Sequence, residues 1–170
     1  MNIANFITIS RIIIVPVFAY FLFLNRHSNI ILTLFIICII TDLLDGFLAR
    51  TLKLQTSLGS TLDPIADKLL VITSFYIFSL QGKTPVWLFV TILGKDIILI
   101  CGVIIIYTMT HKYRISVHFL GKFTVFMQMF TLFAVLIHFP YLRALFVVTG
   151  LLTIAATVDY CLKGLKQITA

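Results

Sequence analysis

Residues 41–70, TDLLDGFLARTLKLQTSLGSTLDPIADKLL, place Asp42, Asp45, Asp63 and Asp67 within 26 positions of a chain that is otherwise strongly apolar. Helical periodicity of roughly 100° per residue puts Asp42, Asp45, Gly46 and Ala49 within an arc of about 100°. Gly59, Asp63 and Asp67 share a second face after a short turn, LKLQTS, so the two faces can converge. The chain contains no glutamate, and four of its six acidic residues lie in this one stretch.

The surroundings make those charges expensive. The 170 residues are 61% hydrophobic and 11% charged, against a charged fraction of about 25% in ordinary soluble domains. Such a composition belongs in a bilayer, where a spanning helix takes roughly 20 apolar residues. Hydropathy and breakers predict an all-α polytopic membrane protein: a short interfacial segment at 2–10, then six transmembrane helices near 11–25, 29–51, 58–80, 85–109, 117–138 and 141–162. Residues 1–170 then form a single membrane domain. The apolar run Ile12–Leu24 lacks a small-residue cleavage site behind it and reads as a retained helix.

Six spans put both termini on one side of the membrane. Arg11, Arg50, Lys53, Lys68, Lys112, Arg114, Lys122, Lys163 and Lys166 fall toward that side, and Arg26, Lys83 and Arg143 toward the other. The positive-inside rule therefore predicts cytoplasmic termini, with the aspartates at the cytoplasmic ends of spans two and three. The net charge of +7 is spread singly along the chain, which fits membrane lipids as partners and argues against nucleic acid. Cys38, Cys101 and Cys161 have neither disulfide-framework nor zinc spacing and read as small apolar fillers.

An aspartate at the bilayer centre costs roughly 2.5–3.5 kcal/mol, and neighbouring carboxylates repel one another. Four together demand positive charge. Hard oxygen donors converging from two helices suit two divalent cations, Mg²⁺ or Mn²⁺. Gly46, Ala49 and Gly59 carry little bulk on the same faces, which allows close helix packing or leaves room for a ligand beside the metals. Pro64 frees a backbone carbonyl within a span, which is tolerated where the chain is buried or lines a polar cavity.

The whole pattern, Asp42-x2-Asp45-Gly46-x2-Ala49-Arg50-x8-Gly59-x3-Asp63-x3-Asp67, resembles the signature of the CDP-alcohol phosphatidyltransferase family at every fixed position. The resemblance implies an enzyme that moves a phosphatidyl group from CDP-diacylglycerol to an alcohol and releases CMP. It also implies that Asp42, Asp45, Asp63 and Asp67 hold a two-metal centre, with Asp67 in addition the general base. Gly46, Ala49, Arg50 and Gly59 match positions that receive the cytidine diphosphate, and Lys53 is a further diphosphate candidate from its location. A homodimer in a bacterial cytoplasmic membrane, with the active site facing the cytoplasm, is the corresponding expectation.

The acceptor leaves weaker marks. Asn5-x2-Thr8-x2-Arg11 is similar to the start of bacterial phosphatidylglycerophosphate synthases and related cardiolipin synthases. Lys95-Asp96 falls where the former commonly carry Arg-Glu. Gly121-Lys122-x-Thr124-x3-Gln128 resembles their Gly-Lys-x-Lys-Thr-x2-Gln, with Thr124 in place of the second lysine and Val125 in place of the threonine. Lys95, Arg114 and Lys122 are cations for an anionic acceptor, and glycerol 3-phosphate is the first choice. Phosphatidylglycerol, giving cardiolipin, is the alternative within the family. A divalent-cation transporter would explain the acids but leaves the fixed glycines, Ala49 and Arg50 without a reason.

Overall fold

A computed structural model describes the backbone of residues 3–25, 28–51, 57–110 and 119–169, and the side chains of 14–25, 29–41, 68–106, 108 and 119–165. Among the described residues all regular structure is helical: α1 (Ile3–Leu24), α2 (Ser28–Thr51), α3 (Ser57–Leu80), α4 (Val86–Thr110), α5 (Phe119–Leu136) and α6 (Leu142–Thr169). Three of these contain stretches long and apolar enough to cross a membrane, Val86–Ile106, Phe119–Leu136 and Leu142–Leu165. The first three helices carry shorter apolar segments, Ile14–Leu24, Asn29–Thr41 and Lys68–Leu80.

The N-terminal segment expected to stand apart from the first span does not do so, because α1 runs unbroken from Ile3 to Leu24. Each of its residues adds a backbone hydrogen bond to a turn already formed, so continuing the helix costs less than starting a second one. Similarly, α6 extends to Thr169, seven residues beyond the expected end of the sixth span.

The chain divides into two compact units, residues 1–78 and 79–170. In the first, Val15, Phe18 and Leu22 form a buried stripe on α1, and Ile31, Phe35 and Cys38 form one on α2. Spacings of three and four keep each set on one helix face. The Phe18 and Phe35 ring centroids stand 5.9 Å apart, within the range of a favourable tilted aromatic pair. Further along, α3 buries Leu70, Val71, Ser74, Phe75, Ile77 and Phe78, and the Ser74 hydroxyl donates to the Leu70 carbonyl at 2.6 Å.

In the second unit α6 packs against both α4 and α5. A glycine sets one of these approaches, and a second glycine marks an ordinary contact. A Cβ at Gly150 would lie 2.4 Å from the Trp87 ring, and one at Gly164 would lie 3.4 Å from the Ile106 side chain. The pairs 87/150 and 106/164 advance together, so α4 and α6 run in the same direction. Outward faces remain apolar: Ile97, Ile98, Ile100, Ile104 and Ile105 on α4 are exposed, as are Phe119, Phe123 and Phe126 on α5. This suits hydrocarbon, in which an exposed isoleucine carries no penalty. Cysteine follows the same logic. Cys38 is a buried filler as expected, whereas Cys101 and Cys161 lie exposed on helix surfaces.

Left-handed residues close three helices: Asn25 (φ 50°), Gly82 (φ 68°) and His138 (φ 56°). After α5, the amide of His138 donates to Val135 O at 3.2 Å and that of Phe139 to Ala134 O at 2.9 Å. This pair of bonds is a Schellman cap, with a histidine where glycine is usual.

Candidate functional site

The backbone places positions 42–50 in the last turns of α2 and positions 59–67 in the first turns of α3. Both stretches are helical, so the i, i+3, i+4 register on which the aspartate pattern depends is present in the chain. The side chains of Asp42, Asp45, Gly46, Ala49, Arg50, Gly59, Asp63 and Asp67, together with all of Lys53 and Arg114, lie outside the described residues. Among the described residues, no three histidine, cysteine or acidic side chains converge as a metal site.

Two of the acceptor candidates are described. Lys95 lies within α4 and is buried, as is the adjacent Asp96. Their Nζ and Oδ1 atoms are 3.5 Å apart. Consecutive helical residues diverge by roughly 100°, so the two side chains must bend toward each other along the helix surface to meet. Burial supplies the reason, because a charge there loses hydration that an opposite charge helps to offset. Lys122 differs: it is exposed on the first turn of α5.

The rest of the Gly121 segment does something the sequence reading did not assign. Thr124 and Gln128 are buried between α5 and α6 rather than open to a substrate. The Thr124 hydroxyl donates to Leu120 O at 2.8 Å and lies 3.3 Å from Leu152 O. Gln128 Nε2 donates to Thr153 Oγ1 at 3.2 Å. One turn on, the Thr131 and Thr149 hydroxyls meet at 2.7 Å. The Tyr160 ring closes the far end over Gly121, where a Cβ would come within 2.4 Å of its hydroxyl.

Residue numbers along this seam rise on α5 as they fall on α6, so the two helices are antiparallel. Gly121, Thr124, Gln128 and Thr131 recur at three, four and three residues, which is one face of a helix. On α6, Thr149, Thr153 and Thr157 recur every four. That periodicity was the available signal for an interhelical face, and it separates Lys122, which lies off the face, from its neighbours. Small and hydroxyl-bearing side chains are the residue types that bring helices close together in a lipid setting.

These features define a helical protein with membrane-spanning potential, a register of four aspartates across two successive helices, and a polar seam leading to an exposed lysine. The model of the CDP-alcohol phosphatidyltransferase family matches residues 1–158. The chain belongs to that family of enzymes. It is 34% identical over 99% of its length to a protein of Aquifex aeolicus named "CDP-diacylglycerol--glycerol-3-phosphate 3-phosphatidyltransferase", of which the match covers 98%. It is 33% identical over 98% of its length to a Mycobacterium tuberculosis protein named "Probable phosphatidylglycerophosphate synthase", of which 83% is covered. Human "Cardiolipin synthase (CMP-forming)" is 40% identical over 60% of this chain and 34% of its own.

Proposed function

We propose that this chain transfers the phosphatidyl group of CDP-diacylglycerol to glycerol 3-phosphate, giving phosphatidylglycerophosphate and CMP. The end-to-end similarity to the Aquifex aeolicus protein named for that reaction carries the reading. Cardiolipin synthesis is the second reading; its human namesake matches only part of either chain. A family of group-transfer enzymes leaves a cation transporter without support.

Asp42, Asp45, Asp63 and Asp67 are the ligands for two divalent cations. Four hard carboxylate donors on helical registers are a suitable donor set for Mg²⁺ or Mn²⁺. Bound there, such ions supply charge neutralisation for the diphosphate and for the departing CMP. Gly46, Ala49 and Gly59 leave space for the nucleotide, and Arg50 and Lys53 contact its diphosphate. Asp67 accepts the proton of the acceptor hydroxyl as that oxygen bonds to the lipid-linked phosphorus. The bond from that phosphorus to the bridging oxygen breaks, and CMP leaves with the electron pair. Lys95, Arg114 and Lys122 bind the acceptor's phosphate.

The chain works as one domain with six spans, its termini and active site on the cytoplasmic side of a bacterial membrane, as a homodimer. Purified protein incubated with CDP-diacylglycerol, Mg²⁺ or Mn²⁺ and a panel of alcohols tests the reaction. Mass spectrometry should find phosphatidylglycerophosphate from glycerol 3-phosphate. Cardiolipin from phosphatidylglycerol, with no product from glycerol 3-phosphate, would replace the first reading with the second.

A further inference from the structure

The start of α5 is held by a steric fit. Gly121 is covered by Tyr160, and a Cβ built there would lie 2.4 Å from the phenolic oxygen, 3.2 Å from Cζ and 3.4 Å from Cε2. The first distance is far inside contact, whereas the other two are only tight. The Tyr160 hydroxyl therefore occupies nearly the space that a methyl group at residue 121 would take.

The next residue is Lys122. Its side chain is exposed, and among the described residues it has no ion-pair partner. The neighbouring cation on α6 is already committed, since Lys163 Nζ sits 2.6 Å from Asp159 Oδ2. Among the described residues at this end of the α5–α6 seam, the charge open to an anion is thus that of Lys122. A lysine is a flexible point charge, so what the fold can fix is the backbone from which it projects.

We infer that Tyr160 is a positioning residue for the anionic acceptor: its ring, seated over Gly121, fastens the first turn of α5 to α6 and aims Lys122 at the acceptor's phosphate. The inference deepens the acceptor reading given above and rests on it. Thr124, Gln128 and Thr131 secure the seam further along, but Tyr160 is the contact one residue from the lysine. Misplacing a binding group by about 1 Å costs up to about a hundredfold in rate.

The test is a set of steady-state measurements with glycerol 3-phosphate and CDP-diacylglycerol on the full chain. Tyr160→Leu and Gly121→Ala should each raise KM for glycerol 3-phosphate about tenfold, with kcat and KM for CDP-diacylglycerol within about twofold of the unmodified chain. The paired variant Gly121→Ala with Tyr160→Phe puts a methyl where the hydroxyl was, and should bring the acceptor KM back to within about threefold. That recovery also separates positioning from a general loss of fold. Unmoved acceptor KM in both single variants overturns the inference. So does a paired variant no better than Gly121→Ala alone, or a fall in kcat with no change in acceptor KM. No product from glycerol 3-phosphate with the unmodified chain overturns the acceptor reading, and the inference with it.

Discussion

Lys95 and Asp96, neighbours on α4, bring Nζ and Oδ1 to 3.5 Å with both side chains only 8% exposed. A buried pair of this kind adds little net stability, because desolvation offsets the attraction, but removing one member leaves the other's charge less well compensated. Lys95→Met and Asp96→Asn should therefore each lower stability. Lys95→Met combined with Asp96→Leu should recover most of the loss. Thermal unfolding in detergent measures both. In the recovered double variant, the proposed acceptor role of Lys95 predicts a raised KM for glycerol 3-phosphate, by about tenfold if one charge-assisted contact is lost.

The hydroxyl pair Thr131–Thr149 tests the seam as an interhelical contact. Interhelical hydrogen bonds in a membrane average about 0.6 kcal/mol and reach about 1.7 kcal/mol. Thr131→Val and Thr149→Val should each destabilise, and the double variant by less than their sum, with a coupling energy in that range. Additive losses would mean that the 2.7 Å contact contributes no stability of its own.

His138 pays for a backbone conformation that suits glycine. At φ 56° a side chain costs on the order of 1 kcal/mol, which glycine avoids. The histidine is exposed, so replacing it sacrifices little packing. His138→Gly should raise the unfolding temperature by a few degrees, and His138→Val, whose branched Cβ crowds this region more, should lower it.

Much of this fold is legible in the sequence because apolar stripes and their breakers are local. Val15, Phe18 and Leu22 announce a helix face, and the QGKTP segment with Gly82 announces a turn. The aspartate register is legible for the same reason, since 42, 45, 46 and 49 keep their meaning on any helix. What was not legible depends on partners far along the chain. In sequence Thr124 and Gln128 are only motif positions beside Lys122; their place in an interhelical seam shows once Leu152 and Thr153 are brought against them. Tyr160 acquires significance only once it lies over Gly121, 39 residues earlier. Cys101 and Cys161 read in sequence as small apolar fillers like Cys38, because apolar surroundings are the same signal whether they are protein or lipid.

The strictest prediction concerns Asp67, to which the proposed mechanism gives two tasks, metal binding and proton acceptance. Asparagine keeps its shape and one oxygen donor but cannot take a proton near neutral pH. Loss of a general base alone costs about 10²–10⁴-fold, and loss of a metal ligand adds to that, so Asp67→Asn should reduce CMP release by at least about a thousandfold. Folding should survive, because in the proposed four-carboxylate site removing one charge relieves repulsion. An unchanged elution profile, with a melting temperature in metal-free buffer no lower than that of the unmodified chain, would verify that. Chelation offers the complementary measurement: removing divalent ions from the unmodified chain should abolish CMP release and lower its melting temperature, as the four carboxylates lose their counter-charge. In Asp67→Asn the same treatment should shift the melting temperature less. Near-normal turnover in Asp67→Asn would take the proton-accepting role away from this residue, and an unmoved melting temperature on chelating the unmodified chain would take the metals away from all four.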